Sequence, residues 1–224
     1  KGIGAECIYV ELSEDVGTKD ILLSFGEKKN IIDKPAFLLI VAGDSIFEGK
    51  ENISVNEEIK DFVEKAKELI ENKGAKVVWG VIPQENYKGG EKSLKAQTKC
   101  VVDENRVISA RKNCEPKEGE KLFASLIFAR ADILFRLIKR AKDVHGLYEI
   151  KLTHSLIEEG LYAIVLENIL YINVNDYTDL KKWYALLEEK RREKESIKEF
   201  GDKLRKESTK LLRDNKKNTD KLCV

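Results

Sequence analysis

Apolar and polar positions follow two rhythms along this chain, and the switches between them mark its elements. Phe37 to Ala42 is a continuous apolar run closed by Gly43, Asp44 and Ser45. A run of that kind, bounded by turn residues, predicts a strand buried on both faces of a parallel sheet. Ser54-Val55-Asn56-Glu57 then places a hydroxyl at a cap position and an acid three residues on, the capping-box pattern. Behind it Val55, Ile59, Phe62, Val63, Ala66, Leu69 and Ile70 recur at helical spacing until Gly74. Lys76 to Ile82 is a second apolar run, stopped by Pro83. Strand, helix and strand make a βαβ unit.

The same reading covers the rest of the chain. Cys7 to Leu12 alternates loosely as a strand would, and Gly17-Thr18 opens a short helix through Phe25. Gln84 to Lys95 is polar, holds Gly89-Gly90, and predicts a loop. Thr98 to Val102 and Arg106 to Ala110 flank Asp103-Glu104-Asn105 as a hairpin. Leu122 to Phe128 predicts a strand, and Ile133, Leu134, Leu137, Ile138 and Ala141 an amphipathic helix. A short helix over Leu152 to Glu159 ends at Gly160, before two closely spaced strands, Leu161 to Leu166 and Ile169 to Val174. Thr178 or Asp179 caps a last core helix with Leu180, Trp183, Leu186 and Leu187. From Glu188 onward Lys, Glu and Arg dominate, with sparse Ile197, Phe200, Leu204, Leu211 and Leu212. The expected organisation is one α/β domain over residues 1–190 and a charged helical tail over 191–224. The tail reads as a solvated helix, or as one that docks on a second copy or a larger assembly.

Composition narrows the functional classes. Lys plus Arg total 41 against 40 Asp plus Glu, so the net charge of +1 gives no bulk attraction for nucleic acid. The charged fraction of 36%, much of it Lys and Glu, is the pattern of surface ion-pair networks in heat-adapted proteins. Four scattered cysteines and two histidines offer no zinc spacing, and scattered thiols point to a reducing, cytoplasmic setting. No stretch approaches about 18 apolar residues, so no membrane span is expected. The sequence opens at Lys1 and contains no methionine, which suggests a processed or partial polypeptide.

Five collinear segments carry a family resemblance. They are Glu14-Asp15-Val16-Gly17-Thr18-Lys19-Asp20-Ile21-Leu22, Phe37 to Gly49, Asn105-Arg106-Val107-Ile108 with Lys112 beyond, Leu156 to Gly160, and Tyr171 to Leu180. In this order they resemble the sugar-phosphate and polyol-phosphate nucleotidyltransferases, and most closely the inositol-phosphate and choline-phosphate cytidylyltransferases. The resemblance implies a Rossmann-like mixed, mostly parallel sheet. It also implies transfer of a nucleotidyl group from a nucleoside triphosphate to a phosphorylated sugar or polyol, with release of pyrophosphate and a divalent cation such as Mg²⁺. By the same resemblance Asp44 binds the cation, Lys112 meets the substrate phosphate, Gly17 and Thr18 sit by the base, and Glu149 meets the sugar or polyol.

Two departures stand beside these matches. The glycine-rich G-x-G-T-R loop that cradles the triphosphate in family members is not found in the 224 residues. Asn173 falls where the family has its second metal-binding acid, and an amide oxygen coordinates a hard cation without contributing charge. Each residue also has a plainer reading: a charge cluster for Lys112, a helix cap for Gly17-Thr18, a surface position for Glu149, a strand end for Asn173. Two other functional classes compete. Gly43-Asp44-Ser45 resembles the G-D-S block of esterases, which needs a histidine base from His145 or His154. A nucleotidyltransferase-like domain without turnover, acting as a binding or scaffolding module, is the third.

Overall fold

The structure, a computed structural model, describes residues 17–51, 53–141 and 150–220. The expected strand at Cys7 to Leu12 lies outside them. In order the elements are α1 (Thr18–Lys28), β1 (Phe37–Val41), β2 (Ser45–Gly49), α2 (Val55–Asn72) and β3 (Val77–Ile82). A 3₁₀ turn (Gln84–Asn86), α3 (Glu91–Ala96), β4 (Lys99–Asp103), β5 (Arg106–Arg111) and β6 (Lys121–Arg130) follow. The remainder is α4 (Ala131–Arg140), α5 (Ile150–Glu159), β7 (Leu161–Val165), β8 (Ile169–Asn173) and α6 (Tyr177–Asp220).

Six strands form a mixed sheet in the order β1-β6-β3-β7-β5-β4. β3 and β7 pair parallel, and the other ladders are antiparallel. Through these pairings β1, β3, β4 and β7 share one sense while β5 and β6 take the other. β4 also pairs with the start of β6, so the ladder closes on itself around β3 and β7. β1 and β3 run the same way, as a βαβ unit requires, but β6 is threaded between them. β2 and β8 form a separate two-stranded antiparallel sheet.

β3 explains the layering. All six of its residues are buried, and the period of two sends them to opposite faces. Val77, Trp79 and Val81 join Phe135 and Ile138 of α4 and Leu152 and Leu156 of α5. Val78 and Ile82 join Phe62, Ala66 and Leu69 of α2. Leu22 and Leu23 of α1 pack against the first of these clusters. Helices thus cover both faces of the sheet, and the apolar stripe read along α2 is its buried face.

Several local expectations meet particular outcomes. Gly74 and Gly160, after α2 and α5, have φ of +77° and +114°, backbone that glycine adopts without strain. Glu104 and Asn105 both take positive φ, which suits the twist of a two-residue hairpin turn. Ser54 does occupy the N-cap of α2, but its hydroxyl makes no capping hydrogen bond. β1 is not buried on both faces: among the described residues it pairs only with β6, its side chains are half-buried, and Val41 is 47% exposed. The segment read as a loop after Pro83 contains α3, six residues being too short to display a helical period. The two strands after Gly160 go to different sheets. Asp176 caps α6, accepting from the backbone N–H groups of Thr178 and Asp179 at 2.7 and 3.2 Å.

The chain divides into two compact units, the first ending at Asp179 and the second running from Leu180. The second is the continuation of α6, charged and laced with local ion pairs such as Arg191 with Glu188 and Glu195. No described helix is long and apolar enough to cross a membrane.

Candidate functional site

Asp44 and Asn173 meet because of strand register. β2 begins one residue after Asp44, and its first residue, Ser45, stands opposite Asn173 in β8. The N–H of Val174 donates to the Asp44 carbonyl at 2.8 Å, extending the ladder by one bond. With the Asn173 amide oriented by its hydrogen bonds, its nitrogen donates to both Asp44 carboxylate oxygens, at 2.8 and 3.0 Å. It also reaches the Asp44 carbonyl at 3.2 Å.

The pair opens onto a cavity of about 820 Å³ within the first unit. Arg111 and Lys112 at the end of β5, Gln97 and Thr98 before β4, Lys151 and His154 on α5, and Phe123 and Ser125 on β6 share its lining. Several of these groups are held from behind. The Arg111 guanidinium donates through two nitrogens to the Glu120 carboxylate and through a third to Cys114 Sγ at 2.9 Å. The bonding between Arg111 and Glu120, chiefly, raises the pKa of Arg111 and holds the buried Glu120 carboxyl below its ordinary value. It fixes the strand end from which Lys112 departs. The Lys99 ammonium, fully buried, donates to the carbonyls of Leu94, Lys95 and Gln97 at 2.6, 2.6 and 2.8 Å and so closes the end of α3. Burial lowers its pKa.

Asp179 secures the other end of α3, accepting from the Gly90 N–H at 2.7 Å and from Ser93 Oγ. Burial pushes its carboxyl up, but these bonds and one from Asn175 N–H outweigh burial and hold it below its ordinary value. His154 Nε2 lies 3.1 Å from the Ala110 carbonyl, which ties α5 to β5.

Ser125 sits at an irregularity. Opposite consecutive Gly80 and Val81 in β3, β6 presents Leu126 and then Phe123, so Ala124 and Ser125 form a bulge. Ser125 has φ of +53°, a left-handed conformation that costs a non-glycine residue about 1 to 2 kcal/mol. Its carbonyl accepts from the Ala42 N–H at 3.2 Å and thereby shapes the turn that delivers Asp44. Its hydroxyl accepts from the Tyr171 hydroxyl at 2.9 Å, which lies 3.3 Å from Ser45 Oγ. Burial pushes the Tyr171 phenol up to about 12.

Three of the six sequence-predicted site residues, Asp44, Lys112 and Asn173, line this one cavity. Gly17 and Thr18, at the start of α1, are not among its lining residues. Glu149 lies outside the described residues, although its neighbour Ile150 lines the cavity. Sequence reasoning missed Ser125, Gln97, Thr98 and Lys151. Lys151 and His154, one helical turn apart, carried the only signal, a shared polar face. Ser45 meets Tyr171 and His154 meets a carbonyl, so these two do not pair as an esterase would need; His145, the other candidate base, lies outside the described residues.

Among the described residues the pair offers a divalent cation one charged ligand, Asp44. Hard cations need oxygen ligands, yet Asn173 turns its nitrogen to Asp44 and one carboxylate remains. No group of three His, Cys, Asp or Glu suited to a metal occurs among the described residues.

No protein-family model matches the chain, and no curated protein sequence does. Among solved structures, a protein assigned as a glucose-1-phosphate thymidylyltransferase from Bacillus anthracis, crystallised with sucrose, superposes with a TM-score of 0.56. The match covers 80% of this chain and 64% of that one, at 14% identity. The chain has a nucleotidyltransferase-type fold. The inositol-1-phosphate CTP transferase of T. maritima superposes with a TM-score of 0.48, over 76% of this chain and 60% of that one, again at 14% identity.

Proposed function

We propose that the cavity binds a phosphorylated sugar or polyol and that the chain transfers to it a nucleotidyl group from a nucleoside triphosphate. The observation that carries this reading is convergence: Asp44, Lys112 and Asn173, from three separate elements, line one cavity in a fold of nucleotidyltransferase type. Lys112 and Lys151 supply positive charge for a phosphate. In the reaction a phosphate oxygen of the acceptor attacks the α-phosphorus in line. The new O–P bond forms as the bond to pyrophosphate breaks, and no covalent enzyme intermediate is needed. Were a magnesium ion to arrive on the triphosphate, Asp44 would hold it together with the substrate phosphates, in place of its hydrogen bonds to Asn173, and the ion would neutralise charge on those phosphates.

The test is pyrophosphate release from each of the four nucleoside triphosphates with glucose 1-phosphate or inositol 1-phosphate. Wild-type protein is expected to release pyrophosphate, and Asp44→Ala to lose turnover by about a hundredfold or more while keeping its melting temperature. A specific observation favours a second reading, a binding domain without turnover. Asp44 accepts from Asn173, an amide where a second metal-binding acid would bring charge. Binding of sugar phosphate with no pyrophosphate release from any triphosphate would decide for that reading.

A further inference from the structure

Ser125 stands where the backbone asks for glycine. At φ of +53° a glycine would be free of strain, so serine keeps a hydroxyl at a position that penalises its Cβ. A hydroxyl offers one proton and two acceptor sites. Tyr171 donates to Ser125 Oγ, which uses an acceptor site and leaves the Ser125 proton unspent. Among the described residues no acceptor takes the Ser125 proton, although the residue is only 7% exposed and lines the cavity. A buried donor without a partner is costly, and a ligand in the cavity is the partner the geometry leaves available.

Beside the charged Arg111, Lys112 and Lys151, the lining also carries neutral polar groups. Gln97, Thr98, Asn173 and Asn175 bring amides and a hydroxyl. Among the described residues Phe123 is the one Phe, Tyr or Trp in the lining, and its ring is engaged with Trp79 at 4.2 Å between centroids. A quaternary ammonium is recognised by several aromatic faces or an available carboxylate. Here one ring is occupied by packing and Asp44 is occupied by Asn173.

We propose that Ser125 is a specificity residue, donating its proton to a hydroxyl oxygen of the acceptor and selecting a polyhydroxylated phosphate over a quaternary-ammonium phosphate. This rests on the cavity being the phosphorylated-acceptor site.

The test is calorimetry with inorganic phosphate, glucose 1-phosphate and phosphocholine on the full chain. Wild-type protein is expected to bind glucose 1-phosphate more tightly than the other two. Ser125→Gly adopts the required backbone freely and removes only the side chain; Ser125→Ala keeps the Cβ. Both should lose about tenfold in glucose 1-phosphate affinity, with phosphate and phosphocholine changed by less than about twofold. Unchanged glucose 1-phosphate affinity in Ser125→Gly, or an equal loss for all three probes, overturns the assignment. So does a wild-type protein that holds phosphocholine as tightly as glucose 1-phosphate. A wild-type protein that binds none of the three removes both this assignment and the acceptor site beneath it.

Discussion

At the scale of single residues the site turns on one amide. Asn173 donates to both oxygens of Asp44, so the carboxylate is satisfied without a cation. An aspartate at 173 would bring a second negative charge within about 3 Å, raising the pKa of the pair unless a cation lies between the two. Asn173→Asp is therefore expected to melt below wild type in chelator and to gain several degrees in magnesium or manganese. Wild type should gain little from the ion alone. Thermal melts with and without divalent cation measure the contrast; an equal gain in wild type would mean a resident cation site exists after all. Asp44 was a candidate in the sequence, although an acid there also starts turns, because it stands at the carboxyl end of an apolar strand, where ligands bind in such sheets. Ser125 was not. Its role depends on a bulge whose existence is a property of β3 and β6 together.

Among the elements, the Arg111–Glu120 contact behind β5 carries a pH dependence. Glu120 is buried, accepts from Arg111 and from the Lys117 N–H, and has a carboxyl pKa held below its ordinary 4.5. A depressed carboxyl contributes stability that is fully present above the unfolded value and is lost as pH falls through the folded one. Acidification below about pH 4.5 is thus expected to lower the melting temperature through this group. Glu120→Gln should melt lower than wild type at neutral pH and fall less on acidification. Parallel pH profiles for the two proteins would show that the contact does not hold this strand end. Long periodic segments such as α2 were readable because a stripe over eighteen residues repeats many times. α3 and β2 were not, since five or six residues complete too little of any period.

For the molecule as a whole, the tail is separable on physical grounds. Arg191, Arg192, Glu193 and Glu195 are exposed, and the ion pairs are local contacts within α6, each worth little in water. A chain ending at Lys190 is expected to keep its glucose 1-phosphate affinity and to melt within a few degrees of the full chain. Collapse of the melting transition would show that the tail belongs to the core. The sequence by itself determined the order of most elements, the α/β class, the charged tail and the candidacy of Asp44, Lys112 and Asn173. These are local properties, written in apolar period, turn residues and composition. Only the tertiary structure decided that β6 threads between β1 and β3, leaving β1 half-buried, and that β7 and β8 part into different sheets. It also decided that Ser45 aligns with Asn173, bringing the amide onto Asp44. Pairing and register are chosen by the fit of side chains from distant segments, and no single segment carries that information.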